Sequence, residues 1–283
     1  MPLTSAQLKG RIKSLASKNN ADARNLLRIY AMERFLERLS ASKYRDNFVI
    51  KGGTLVTAMV GISQRSTMDI DTSIRNKNLS EEDARKIISE IIDIDLGDEM
   101  TFSIKAVENI MDEMEYPGIR VLLDSQMEKM TIPLKIDIST GDAITPHAIE
   151  FTYCLMLENR SISLWSYNLE TILAEKLQTI LARGVLNTRM RDFYDVRTLL
   201  QFYGNRIDRE TLIAAFKATC RKRETELLYA DADKILENIE GSAALRKLWE
   251  SYRKKYSYSA DITFEETVKS IKQLVHMLAG DDE

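Results

Sequence analysis

The chain has 283 residues, of which 44% are hydrophobic and 29% charged, with only 11 Gly and 4 Pro. That composition suits a folded, helix-rich protein of one large or two unequal domains and excludes disordered and fibrous classes. Net charge is −3 but unevenly spread: residues 1–68 carry 12 Lys and Arg against 4 Asp and Glu, residues 69–175 carry 9 against 22, residues 176–256 carry 17 against 11, and residues 257–283 carry 2 against 6. Two basic segments therefore flank an acidic middle, which fits either a surface for a polyanion or chance variation among helical faces. Cys154 and Cys220 stand apart from each other and from His147 and His276, which argues against a disulfide framework or a Cys/His zinc site. No apolar run approaches the roughly 18 residues of a membrane span. The opening MPLTSAQLKGRIKS lacks the apolar stretch of a secretory signal, so a cytoplasmic location and no membrane partner are expected.

The opening reads as two helices. The second runs from about Asp22 to Ser42, with Leu26, Leu27, Tyr30, Phe35, Leu36 and Leu39 at helical spacing and Arg24, Arg28, Arg34 and Arg38 between them. NFVIK is a short strand that enters Gly52 and Gly53, LVTAMV a helix, GISQRST a polar loop and MDIDTSI an alternating strand. Ser80 caps a helix over SEEDARKIISEII with Asp83 at its third position, a variant of the capping box. TFSIKAVENI, GIRVLLDSQM and MTIPLKIDIST read as three strands of a meander or mixed sheet. From Leu169 onward the pattern is helical throughout, from LETILAEKLQTILAR to TFEETVKSIKQLVHML. The expected fold class is α+β: a mixed sheet with flanking helices, then a helical bundle, with domains of 1–165 and 166–283.

Chemistry concentrates in the first of these parts. Asp69 and Asp71 stand at i and i+2 in MDIDTSI, so on a strand their side chains share one face while Met68 and Ile70 turn into packing. Two carboxylates this close repel unless a cation lies between them, which points to a hard divalent ion with oxygen ligands, Mg²⁺ above all. Asp137, between Ile136 and Ile138 on another alternating run, is a candidate third ligand. Upstream, KGGT at 51–54 ends a strand and opens a helix, where unpaired backbone N–H groups and the helix dipole hold phosphate oxygens. Two glycines let the backbone approach an anion closely. Strand, Gly-Gly-Thr, helix, Asp-x-Asp and a later single Asp together suit a triphosphate and two metal ions arranged for in-line phosphoryl displacement. The competing reading is a tight turn followed by a solvated acidic loop.

This arrangement resembles the DNA polymerase β nucleotidyltransferase superfamily. Within it, FVIKGGTLVTAMVGISQRSTMDIDTSI followed by LETILAEKLQTILARGVLNTRMRDFYDVRTL is similar to the AbiEii/AbiGii family, the toxin half of AbiE-type type IV toxin–antitoxin and phage-defence systems. The motifs span residues 48–74, 132–141 and 168–200, while the first 45 residues and the helices after about 205 match only in general character. The resemblance implies an enzyme that transfers a nucleoside monophosphate from a nucleoside triphosphate with release of pyrophosphate. It implies that Gly52, Gly53 and Thr54 line the phosphates, that Asp69, Asp71 and Asp137 bind Mg²⁺, and that Asp137 helps to activate the attacking hydroxyl. Lys176 matches the motif lysine and would neutralise phosphate charge. Asp192 and Asp195, with Arg189 and Arg191, would anchor the helical part, which would close the active-site cleft. Arg65 either contacts phosphate or holds its loop. The implied acceptor is the 3′ end of tRNA, so that translation stops, and the implied partner is an AbiEi-type winged-helix antitoxin. Other members of the superfamily modify a protein side chain or a small molecule, and a chain with a degenerate site would bind nucleotide without transfer.

Several residues carry a second, plainer reading. A lone Lys such as Lys176 is more often a solvated helix residue, and Asp192 and Asp195, three apart on one helical face, form an intrahelical ion-pair set with arginine. Thr67 shares the strand face of Asp69, so a phosphate placed there would add negative charge beside the metal ligands and exclude nucleotide. The tract LWESYRKKYSYS either stacks on and neutralises RNA or ends an amphipathic helix with its aromatics in the core.

Overall fold

The computed structural model describes residues 3–19, 21–75, 79–110 and 118–279. The chain divides into two compact units: Met1–Asp142 with Ile149–Ser166, and Ala143–Ala148 with Tyr167–Glu283.

The first unit is built on a seven-stranded mixed sheet. Its elements are helices α1 (Ser5–Asn19), α2 (Ala23–Ala41), α3 (Gly52–Val60) and α4 (Glu81–Ile92), and strands β1 (Phe48–Ile50), β2 (Ile70–Ile74), β3 (Thr101–Asn109), β4 (Gly118–Met127), β5 (Met130–Thr140), β6 (Ile149–Cys154) and β7 (Ser161–Ser166). The strand order is β3-β4-β5-β2-β1-β7-β6. β3, β4 and β5 form an antiparallel meander, and β2 lies parallel to β5 and antiparallel to β1, so the sheet as a whole is mixed. β6 and β7 lie outside the sequence expectation, although β7 buries Ile162, Leu164 and Ser166 on alternate positions as a half-buried strand does.

Asp22 caps α2 through the Arg24 and Asn25 N–H groups, and Ser80 caps α4 by accepting from the Asp83 N–H at 3.0 Å. α2 turns Leu26, Ile29, Phe35, Leu36 and Leu39 inward, each at most 2% exposed, and packs on β5 and β7. Two of the arginines between these positions, Arg34 and Arg38, are buried. Arg38 is buried, paired through both terminal nitrogens with Asp98 at 2.8 and 2.7 Å and bonded to the Met100 carbonyl at 2.7 Å. Arg34 is buried against Glu37 and Glu158, both at 2.9 Å. Arg45 pairs with Glu150 and Lys51 with Asp142. The basic opening segment is thus partly neutralised by the acidic middle, and that part of the charge asymmetry is internal rather than presented to a polyanion.

Glu33, also on α2, is 2% exposed and accepts the Met156 N–H at 2.9 Å. Burial pushes its carboxyl up to about 8, against the lowering effect of that hydrogen bond and of Arg34.

The second unit consists of α5 (Leu169–Arg183), α6 (Met190–Tyr203), α7 (Arg209–Lys222), α8 (Ala232–Gly241), α9 (Ala243–Lys255) and α10 (Phe264–Leu278). Its core contains Leu177, Phe193, Leu212, Leu236, Trp249 and Phe264. Thr263 and Glu266 complete a capping box at the start of α10. Asn168 caps α5 and donates from its amide to the Thr145 carbonyl at 2.6 Å, which ties the segment Ala143–Ala148 to this unit. The aromatic and basic tract of α9 is core-forming: Trp249 is fully buried and donates to the Ile262 carbonyl at 3.0 Å, and Tyr252 packs against Tyr194, Tyr256 and Tyr258. Among the described residues no helix is long and apolar enough to cross a membrane.

The sign of the Glu33 shift sets a pH dependence. The folded chain retains a proton that the unfolded chain releases above about pH 4.5, so stability falls as pH rises from there towards 8. Glu33→Gln keeps the acceptor for Met156 without the charge. Urea denaturation is expected to show near-equal stability at pH 5 and a variant more stable than the parent by roughly 2 to 5 kcal/mol at pH 9.

Candidate active site

The carboxylates meet where β2 lies between β1 and β5. Parallel pairing of β2 with β5 sets Asp71 opposite Asp137, flanked by the pairs Ile70 with Ile136 and Thr72 with Ile138. Ile70, Ile136 and Ile138 are buried to within 1% and lock this register from below, since a one-residue slip would expose every one of them. A side chain reinforces it: Thr72 Oγ1 donates to the Asp137 carbonyl at 3.2 Å. β2 begins at Ile70, so Asp69 lies one residue before the strand. Met68, expected to pack beside Ile70, is instead 39% exposed, with Arg28 donating to its sulfur at 3.3 Å. The pleat that would bury it has not yet begun there.

The Gly-Gly-Thr turn closes on these residues. Gly52 opens α3 with φ +52°, a conformation natural to glycine, and a Cβ there would come within 2.6 Å of Asp71 Oδ2. A Cβ on Gly53 would meet Thr67 Oγ1 at 3.0 Å, Arg65 Nη2 at 3.1 Å and Asp71 Oδ2 at 3.3 Å. The structure therefore brings Gly52, Gly53, Arg65, Thr67 and Asp71 to one place. The Gly53 N–H donates to Asp71 Oδ2 at 2.8 Å, which satisfies one of the first-turn donors of α3 that have no partner inside the helix. Burial raises the Asp71 carboxyl above its usual range against this hydrogen bond, and the charges of Asp137 and Asp69 push it the same way as burial.

Thr54 acts as a clamp. Its hydroxyl accepts the Asp71 N–H at 2.9 Å and donates to the Asp69 carbonyl at 3.0 Å, so the side chain expected beside phosphate is spent on holding the Asp-x-Asp backbone. Thr67 is 4% exposed and donates to the same Asp69 carbonyl at 3.3 Å, so a modifying enzyme reaches its hydroxyl only after local opening. Arg65 is 2% exposed, with Nη1 donating to the Ser66 carbonyl, which holds its own loop.

Cations that sequence reasoning missed surround the carboxylates. Arg120 grips Asp137 with Nε at 2.8 Å and Nη2 at 3.1 Å. Lys135 Nζ lies 3.0 Å from Asp69 Oδ2 and 3.6 Å from Asp137 Oδ2. Lys51 reaches across β2 to Asp142, which also accepts from Ser139 Oγ at 2.6 Å, and so straps the entry of the glycine turn to the end of β5. Lys135 was legible, two residues before Asp137 and therefore on its strand face; Arg120 was not, because it reaches Asp137 only through the antiparallel register of β4 with β5.

Among the described residues no three acidic, histidine or cysteine side chains form a ready metal cage. The donor set nevertheless suits a hard divalent cation: it consists of carboxylate oxygens alone, two of them adjacent in register and all three in electrostatic contact.

In the second unit, Lys176 Nζ donates to Asp192 Oδ1 at 3.0 Å and Asp195 Oδ2 at 2.6 Å, and all three residues are buried. Arg189 Nε pairs with Asp192 Oδ2 at 2.8 Å, one turn of helix away, whereas Arg191 turns to the Tyr256 hydroxyl at 2.9 Å. Lys176 is therefore a buried cation shared by two carboxylates rather than a solvated helix residue. His147 and His276 are exposed, Cys154 is an exposed free thiol and Cys220 a buried one.

Removing the clamp has a direct cost. Thr54→Val leaves the Asp71 N–H without its partner and the Asp69 carbonyl with Thr67 alone, and is expected to lower stability by about 2 kcal/mol, while Thr54→Ser keeps most of it, as measured by denaturant titration.

No curated protein matches the chain. Among solved structures, a nucleotidyltransferase from H. pylori is 17% identical with a TM-score of 0.49, covering 91% of this chain and 95% of its own. JHP933 from Helicobacter pylori is 17% identical with a TM-score of 0.45 over 87% of this chain and 88% of its own. An antigenic nucleotidyltransferase-like protein from Paracoccidioides brasiliensis is 14% identical with a TM-score of 0.39 over 84% and 95%. The family model described as nucleotidyl transferase AbiEii toxin of type IV toxin–antitoxin systems matches residues 34–270. A match of that extent settles membership: the chain belongs to the AbiEii family of nucleotidyltransferase toxins.

Proposed function

We propose that this nucleotidyltransferase toxin transfers a nucleoside monophosphate from a Mg²⁺-bound nucleoside triphosphate to the 3′ end of tRNA, which blocks translation in a phage-defence setting and is countered by an AbiEi-type antitoxin. The observation that carries the reading is the register of Asp71 against Asp137, with the Gly53 N–H on Asp71, because it sets a helix N-terminus beside paired carboxylates. Asp69, Asp71 and Asp137 would hold Mg²⁺, which supplies charge neutralisation for the attacking and leaving oxygens. The remaining first-turn N–H groups of α3 would hold phosphate oxygens. Asp137 would accept the proton of the acceptor hydroxyl as its oxygen bonds to the α-phosphorus and the bond to pyrophosphate breaks. The phosphate-neutralising role of Lys176 rests on the family motif; within the second unit its ammonium is held by Asp192 and Asp195. The tRNA acceptor rests on the family resemblance more than on charge, since Arg34, Arg38, Arg45 and Lys51 are internally paired.

The test is incubation with Mg²⁺, each α-labelled nucleoside triphosphate in turn, and total bacterial RNA and protein. Label is expected in tRNA-sized RNA, with Asp69→Asn and Asp137→Asn at least about a hundredfold slower. Label in protein or in a soluble product would move the acceptor to the other reactions of the superfamily. Lys176→Met is a poor probe by itself, since it removes the cation shared by two buried carboxylates and is expected to cost about 3 kcal/mol by denaturant titration. Lys176→Arg keeps the charge and separates the two effects.

A further inference from the structure

We propose that Lys135 is the resident counterion of the candidate metal site, and that a divalent cation enters by displacing its ammonium from between Asp69 and Asp137. The inference rests on the reading of Asp69, Asp71 and Asp137 as metal ligands and adds a residue that the motifs do not name. Lys135 Nζ lies 3.0 Å from Asp69 Oδ2, and it also reaches Asp137 Oδ2 at 3.6 Å. It thus bridges a carboxylate of the Asp-x-Asp pair and the third carboxylate, the position where a shared cation relieves their repulsion. Register produces this placement. Asp71 stands opposite Asp137 on adjacent parallel strands, and Lys135 and Asp137 share the strand face two residues apart.

The five charged groups at this junction differ in how firmly they are held. Asp71 is fixed by the Gly53 N–H and by its strand. Asp137 is gripped by both Nε and Nη2 of Arg120. Asp69 lies before the start of β2 with 35% of its side chain exposed, and Lys135 is 29% exposed. An ion pair this accessible is weak and readily exchanged, whereas the Arg120 pair, at 17% and 12% exposure, is the more permanent one. The arrangement therefore separates a fixed cation, Arg120, from a replaceable one, Lys135. The replaceable ammonium keeps Asp69 turned towards Asp137 while no metal is present, so the ligands are gathered in advance without a closed cage. Entry of a divalent ion exchanges one positive charge for two, which moves the site towards neutrality before the triphosphate arrives.

The experiment is Mn²⁺ titration of the full chain at fixed ionic strength, with free Mn²⁺ read by its electron paramagnetic resonance signal and no nucleotide present. Lys135→Met is expected to bind Mn²⁺ about fivefold more tightly than the parent, the effect of one competing unit charge at contact distance in a water-accessible setting. Lys135→Arg, which keeps a cation on the carboxylates, is expected to bind no more tightly than the parent. Lys105→Met serves as control for a general loss of charge, because Lys105 is 65% exposed and pairs with Asp124 instead; it is expected to leave Mn²⁺ affinity unchanged. Unchanged or weaker binding by Lys135→Met, or equal tightening by Lys105→Met, overturns the proposal. Asp69→Asn distinguishes this failure from failure of the underlying reading. If Asp69→Asn binds Mn²⁺ like the parent, the carboxylates are not the metal ligands and both inferences fall; if it loses Mn²⁺ while Lys135→Met matches the parent, only the role of Lys135 falls.

Discussion

One strand register governs the first unit. β2 is held between an antiparallel neighbour and a parallel one, and its pairing with β5 decides at once which isoleucines are buried and where Asp71 and Asp137 stand. Hydrophobic burial and chemistry are coupled here through the two-residue period of the strand. The apolar face cannot be satisfied without presenting the carboxylates together on the other. Mutual repulsion of those carboxylates is a cost that the fold offsets locally, by the Gly53 N–H, by Arg120 and by Lys135, rather than by changing the register.

The glycine turn depends on that register in turn. Gly52 tolerates its backbone conformation and the proximity of Asp71 only because it lacks a Cβ, and Thr54 fixes the turn by bonding both to the Asp71 amide and to the Asp69 carbonyl. The Lys51 strap to Asp142 holds the same turn from the other side. The phosphate role proposed for this helix N-terminus needs donors that stay in place, and these three contacts hold the turn.

Much of this was readable from the chain. The three strands β3, β4 and β5, the cap residue Ser80, and the strand carrying Asp137 follow from period and capping chemistry, and the association of Gly-Gly-Thr with Asp-x-Asp follows from motif order. What escaped did so for physical reasons. Arg120 meets Asp137 through a cross-strand register that no local pattern encodes. Helical spacing put Arg34 and Arg38 between the apolar positions of α2 but did not show that they are buried, because the acidic partners that neutralise them are distant in sequence. β6 and β7 are short, and β7 had the right alternation but too few residues to stand out beside the helical signal that follows it. In the second unit, the spacing of Asp192 and Asp195 announced a shared face; that the face closes on Lys176 required knowledge of how α5 and α6 pack.

The segment Ala143–Ala148 gives the chain an unusual order of assembly. It belongs with the helices, yet β6 and β7 follow it and return to the sheet. During synthesis, residue 166 completes every strand of the first unit, while Thr145 still lacks its partners at Asn168 and Thr171. The backbone passes between the units at three points, after 142, 148 and 166. Neither unit is therefore an uninterrupted stretch of chain, and no single cut frees both whole. Separating them by truncation would strip the helices of a tethered loop or leave the sheet carrying an orphaned one, so the two units are bound by connectivity to mature as a pair.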